Sequence, residues 1–233
     1  SKIELIGTVS HELRNPLTSI VGYAHLLTEG RAASDPEYAE MAAVVKQQAE
    51  DVADIVEDLL TAAQADAGTL RVVTAPLDLA DEGRRVVAGI GGRHAGTLEV
   101  EATATPALGD AMRVRQIVRN LVANAIVHGG EHIRVTTSRA GQQAHVVVAD
   151  DGPGLAHGDE ERVFEAFQRG SREARSPNSV GLGLTISRHL ARLMGGDLTY
   201  RREDGTTLFH LVLTGRPAAT RRRLLRPHTA APV

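Results

Sequence analysis

DAMRVRQIVRNLVANAIVH, residues 110–128, carries two patterns at once. Val114, Ile117, Val118, Leu121, Val122 and Ala125 recur at spacings of three and four, the period of one buried helix face. Beside that stripe, at strict spacing of four, run Asn120, Asn124 and His128. Neutral amides at the edge of a buried face need partners, because each unsatisfied polar group costs about 1–3 kcal/mol. Interhelical or capping contacts would satisfy them, and so would a bound ligand carrying a metal. An Asn carbonyl suits Mg²⁺ as a single protein ligand, since that ion keeps waters and phosphate oxygens as its others.

Outward from this helix the texture is mixed. Helical patterns at 78–90, 110–128 and 184–194 alternate with strand-like runs at 97–103, 131–138, 144–150, 197–202 and 206–214. Asp204-Gly205 between the last two runs predicts a hairpin turn. The strand ending at Asp150 leads into Asp150-Asp151-Gly152-Pro153-Gly154. Two adjacent carboxylates repel, so their place at a strand end points to an acceptor role, such as receiving a hydrogen bond from an adenine amino group. Gly152 and Gly154 would let backbone approach the base. Further on, Ser179-Val180-Gly181-Leu182-Gly183-Leu184 opens a helix, where backbone amides form an anion site for phosphates. It is not the dinucleotide fingerprint, because Ile186 stands where a third Gly is needed.

The N-terminal part reads differently. Ile6, Leu13, Ile20 and Leu27 recur every seven residues, with Val9, Leu17 and Ala24 in the same stripe. GRAASDP at 30–36 breaks the pattern, with Asp35 as N-cap before Pro36. A second stripe follows through Tyr38, Val45, Gln48, Val52, Ile55, Leu59 and Ala62. This predicts a helical hairpin with coiled-coil-like seams. Two helices alone bury too little, so pairing as a dimeric four-helix bundle is expected, and with it a homodimer. On the first helix His11 falls outside the core stripe and faces water. A neutral exposed imidazole is a competent nucleophile near pH 7. An ordinary surface histidine fits the same spacing. Asn15 lies one turn above it, and Pro16 deletes a backbone hydrogen bond nearby.

Composition narrows the classes. With 42% hydrophobic and 24% charged residues among 233, the chain is an ordinary globular one. No apolar run reaches the ~18 residues of a membrane span. The absence of Cys excludes disulfides, thiolate metal sites and cysteine nucleophiles. Net charge is −3, and without Arg221, Arg222, Arg223 and Arg226 the first 216 residues stand at −7. That balance, with 3% aromatics, argues against nucleic acid as a partner. A reading as a nucleic-acid binder would rest on those four arginines alone.

Ser10-His11-Glu12-Leu13-Arg14-Asn15-Pro16-Leu17 resembles the phosphoacceptor box of bacterial sensor histidine kinases. The Asn120–His128, Asp150–Gly154 and Gly181–Leu184 patches resemble the N, G1 and G2 boxes of the ATP-binding fold shared by histidine kinases, gyrases and Hsp90 chaperones. Val163–Gly170 is similar to the F box before the lid. The resemblance implies a phosphoacceptor hairpin followed by an α/β-sandwich ATP-binding domain, with ATP and Mg²⁺. It makes His11 the acceptor of the γ-phosphoryl group, Glu12 the assisting base and Asn15 the residue that supports dephosphorylation of a response regulator receiver domain. It makes Asn124 the magnesium ligand, Asn120 a phosphate-side partner, Asp150 the adenine acceptor and Arg169 a cation for the γ-phosphate. His128, Gly152, Gly154, Gly181, Leu182, Gly183 and Leu184 fall in the same ATP-binding set.

The implied domains are 1–67 for dimerisation and phosphotransfer, 68–76 as linker, 77–216 for ATP binding, and 217–233 as a disordered basic tail. A cytoplasmic location follows, with the full-length protein anchored upstream at the inner face of the cell membrane. In gyrase- and chaperone-like members a Glu precedes the magnesium Asn by four residues and activates water. Asn120 stands there and cannot act as a base, which favours phosphotransfer over hydrolysis. Two departures, Val127 where the family often has Lys or Arg and Ser179 where Gly often opens the G2 box, support the alternative of a degenerate dimeric scaffold. The other histidines, His132, His145, His157 and His210 among them, are assigned no role, for want of metal-like spacing or a partner acid.

Overall fold

The computed structural model describes residues 16–24, 36–90, 96–165 and 182–216. The expectations for His11, Glu12, Asn15, the breaker at 30–35, Arg169, Ser179, Gly181 and the tail from 217 lie outside the described residues. Residues 16–24 are helical and form α1. α2 spans Pro36–Asp66 and begins at the proline that the sequence marks as its start. Its end is closed at Gly68, where φ is +65°. There Gly68 N–H donates to Ala65, while Thr69 and Leu70 N–H both donate to Gln64.

The remaining elements are β1 (Ala75–Asp78), α3 (Leu79–Ile90), β2 (Thr97–Ala102), β3 (Pro106–Gly109), α4 (Ala111–His128), β4 (His132–Ala140), β5 (Gln143–Asp150), α5 (Gly183–Leu193), β6 (Asp197–Glu203) and β7 (Thr206–Thr214). Five strands form one sheet in the order β2-β4-β5-β7-β6. Only β2 and β4 run parallel, and the other pairs are antiparallel. α3, α4 and α5 lie against one face of it. The stripe read from the sequence makes that contact: Val114, Ile117, Val118, Leu121 and Val122 are fully buried. They meet Ile133, Val135, Val146, Val148, Leu198 and Leu211 of the sheet in one core. The result is a helices-on-sheet sandwich. Asp204 and Gly205 both take positive φ, as the predicted hairpin turn between β6 and β7 requires.

One feature was not expected. β1 and β3 pair antiparallel as a separate two-stranded sheet. Each is four residues long and contains a proline, Pro76 or Pro106, so neither shows a period-2 run that could be read. β1 therefore begins inside the stretch expected to be a linker.

α2 does not stand apart from the sandwich. Ile55, Leu59, Ala62 and Ala65 pack against its core. Glu57 pairs with Arg113 at 3.5 Å and Arg119 at 3.6 Å, and Gln116 Nε2 donates to Asp58 at 3.3 Å. Thus the lower half of the second seam serves the α/β unit.

Candidate nucleotide site

α4 is set by its cap. Asp110 accepts from Met112 N–H at 3.0 Å and Arg113 N–H at 3.3 Å, and its other oxygen accepts from Val73 N–H at 3.0 Å. With the helix so anchored, Asn120, Asn124 and His128 form one ridge along it. Their surroundings differ. Asn120 Nδ2 donates to the buried Ser187 Oγ of α5 at 2.9 Å. A Cβ on Gly183 would run into the same amide, so the α5 start sits directly on Asn120. Asn124 and His128 are half-buried and make no hydrogen bond among the described residues. Val127 beside them is 56% exposed.

The strand end opposite is more constrained. Asp150 is 5% exposed and its Oδ1 accepts from Gly152 N–H at 3.0 Å. Burial raises its carboxyl above the usual value, Gly152 opposes that, and Asp151 adds repulsion, while Arg202 and the Thr207 hydroxyl also oppose it. Thr207 is buried directly across from it on β7. Sequence reading missed Thr207, whose only signal is its register with Asp150, visible once the strands are paired.

The doubled carboxylate is resolved by divergence. Asp151 accepts from His132 N–H and meets His132 Nδ1, each at 2.9 Å. These bonds from His132 hold the Asp151 carboxyl below its usual value. The expectation that His132 lacks a partner acid is therefore wrong, because antiparallel pairing of β4 and β5 brings together residues 19 apart. His157 also meets an acid, Glu160, at 3.5 Å on an exposed turn. His145 and His210, on neighbouring strands, meet at 2.8 Å. Burial, the neighbouring His145 and Arg201 keep the His210 pKa below its usual value.

Leu182, Gly183 and Leu184 begin α5, and no side chain caps its first turn. Among the described F-box residues, Phe164 is buried edge-on to Phe209, and Arg188 of α5 lies 4.7 Å over its ring. Arg188 is itself held by Asp197 and Glu161. This anchors the Arg162–Phe164 turn to α5. Among the described residues no three His, Asp or Glu side chains converge as a metal site.

Comparison with known proteins matches both halves. Residues 109–216 match the family model "Histidine kinase-, DNA gyrase B-, and HSP90-like ATPase". Residues 1–68 match "His Kinase A (phospho-acceptor) domain". The structure of the mycobacterial sensor histidine kinase MprB is 30% identical, with a TM-score of 0.54, over 62% of this chain and 100% of that one. This chain belongs to the sensor histidine kinases.

Among curated relatives of this kinase core, "Probable sensor histidine kinase TcrY" of Mycobacterium tuberculosis is 35% identical over 213 residues. That alignment takes in 88% of this chain and 44% of TcrY, so the chain spans less than half of that relative. A structure of histidine kinase ThkA with response regulator protein TrrA shares the fold at 20% identity and a TM-score of 0.60, over 92% of this chain and 62% of that one. The two matched modules are a phosphoacceptor domain and an ATP-binding domain of histidine-kinase type. Neither match favours the degenerate-scaffold reading.

Proposed function

We propose that the chain autophosphorylates on His11 with ATP and passes the phosphoryl group to an Asp of a response regulator. The observation that carries this reading is the pairing of a buried acceptor, Asp150, with a polar ridge, Asn124 and His128, that makes no hydrogen bond among the described residues of the ATP-binding module. Asp150 would accept from the adenine amino group, with Gly152 and Gly154 leaving room for the base. Asn120, Arg169 and the Gly181–Leu184 turn would face the phosphates. The Asn124 carbonyl, which makes no hydrogen bond among the described residues, fits Mg²⁺ as a single protein ligand, because that ion keeps phosphate oxygens and waters as its others. When bound, Mg²⁺ neutralises charge on the phosphates.

In the transfer, an imidazole nitrogen of His11 bonds to the γ-phosphorus as the bond to the β-phosphate oxygen breaks. ADP leaves, and the imidazole proton goes to Glu12. Asn15 would position water against the regulator's phosphoryl group, giving a phosphatase activity. The ThkA–TrrA complex supports a receiver domain as partner.

A homodimer is supported by apolar side chains left on the helices: Leu17, Val21, Val56 and Leu60 are 47%, 66%, 41% and 58% exposed. The divisions 1–67, 68–76, 77–216 and 217–233 stand as the working domain plan, with 75–78 paired to β3. No helix of the described residues is long and apolar enough to cross a membrane. A cytoplasmic core with an upstream membrane anchor is part of the proposal.

The test is γ-labelled ATP with Mg²⁺, wild type beside His11→Gln. Acid-labile, base-stable label that disappears in the variant is the expected result. ATP binding without any label on the wild type would sink the kinase reading.

A further inference from the structure

Asp150 is backed by a row of side chains that crosses three strands. Register places Asp150 opposite Thr207, and Thr207 opposite Arg202 of β6. Arg202 Nη1 donates to Thr207 Oγ1 at 3.0 Å, and Nη2 donates to the Gly152 carbonyl at 3.1 Å. Thr207 is buried across from Asp150, and its hydroxyl works against the upward shift of that carboxyl. Tyr200, two residues before Arg202, accepts from Leu155 N–H through its hydroxyl at 3.0 Å. Gly154 has φ +66°, and a Cβ there would collide with the Arg202 guanidinium. Side chains of β6 therefore hold the Gly152–Leu155 turn from behind.

The chemistry of this row has a direction. A guanidinium has donors only, and a hydroxyl has one hydrogen. Once Thr207 Oγ1 accepts from Arg202, its single hydrogen remains for Asp150. Gly152 N–H donates to Asp150 and the Thr207 hydroxyl faces it, which favours the ionised, accepting form in a place where burial and Asp151 favour the protonated one. An ionised carboxylate accepts from a purine 6-amino group and repels a 6-oxo group. A protonated one can donate to the 6-oxo group.

Resting on the reading of Asp150 as the base acceptor, we propose that Arg202 is a positioning residue for base selection. Acting through Thr207 and Gly152, it keeps Asp150 an acceptor, so that the site takes a 6-aminopurine nucleotide and rejects a 6-oxopurine one. Arg202 is exposed and lies on the outer strand, so it touches neither the base nor the phosphates in this role.

The experiment measures dissociation constants for Mg-ATP and Mg-ITP on the full chain by calorimetry. Wild type is compared with Arg202→Met, Arg202→Lys and Asp150→Asn, each checked by thermal unfolding. Losing a hydrogen bond from a charged group predicts about a tenfold weaker ATP constant in Arg202→Met, with ITP unchanged or tighter. Arg202→Lys, which supplies donors but no fork, should recover part of the discrimination. Asp150→Asn, whose amide can turn to donate, should lose or invert it. If Arg202→Met weakens both nucleotides equally, or leaves their ratio intact while Asp150→Asn collapses it, Arg202 is only a packing residue and the proposal fails. If Asp150→Asn also leaves the ratio intact, the base-acceptor reading fails first. Should Arg202→Met not fold, a wild-type ratio in Arg202→Lys with its fork removed would equally overturn the assignment.

Discussion

The two ends of the proposed ATP site are built on opposite plans. At the β5 end Asp150 is 5% exposed and already engaged by Gly152, with Thr207 across from it and Arg202 behind them. Along α4 the polar ridge is open: Asn124 and His128 have no hydrogen-bond partner among the described residues. A purine base is rigid and uncharged, so an acceptor fixed beforehand costs nothing to order on binding. A polyphosphate with its metal arrives carrying charge and water, and side chains that meet it gain from being unspent. Asn120 is the exception on its ridge, since its amide already holds Ser187. It belongs structurally with the fixed end.

That contrast can be broken most sharply at Asn124. Asn124→Ala should lower autophosphorylation by about 100-fold, the scale of a lost metal contact worth several kcal/mol, while the melting temperature stays put. Equal activity in the variant would remove Asn124 from the open end. Gly183→Ala tests the fixed end, because its methyl group would press on the Asn120 amide. Overpacking of this kind costs about 1–3 kcal/mol, so a clear drop in thermal stability is expected alongside weaker ATP binding.

A pH series separates the ends by charge. Burial raises the Asp150 carboxyl above the ordinary 3.8, and the accepting form is the ionised one. As pH falls through that raised value, a proton occupies the acceptor and affinity for adenosine is lost. The loss should therefore set in at a higher pH than an ordinary carboxylate gives, and it should be absent in Asp150→Asn. Adenosine is the probe because it has no phosphate to titrate. The smallest effect belongs to the α2 contact: Glu57→Gln should shift stability by under about 1 kcal/mol, as partly exposed ion pairs do, and added salt should erase the difference.

Much of this site was legible in sequence because its carriers are periodic. The α4 stripe, the amide ridge at spacing four and the hairpin at Asp204-Gly205 each follow from one repeating rule, and the helix and strand limits around them fell within about two residues. What could not be read depends on register between distant strands. Thr207 and Arg202 gain their meaning only from standing opposite Asp150 in the row β5-β7-β6. His132 meets Asp151 by the same kind of pairing. β1 and β3 were hidden for a different reason, being too short and proline-marked to show alternation. Family likeness could single out Asp150 as a candidate, but it could not say what stands behind it in this chain.

The grip of α2 on α4 has a mechanical meaning. Glu57 and Asp58 are neighbours in the chain, and between them they reach Arg113, Gln116 and Arg119. Adjacent helical residues are about 100° apart around the axis, so these contacts fix α2 in azimuth as well as in place. A twist of α2 by a few tens of degrees would have to release them as a set. The helix that carries Asn120 and Asn124 is thereby keyed to the rotational setting of α2, and neither can turn about its own axis without the other giving up these contacts.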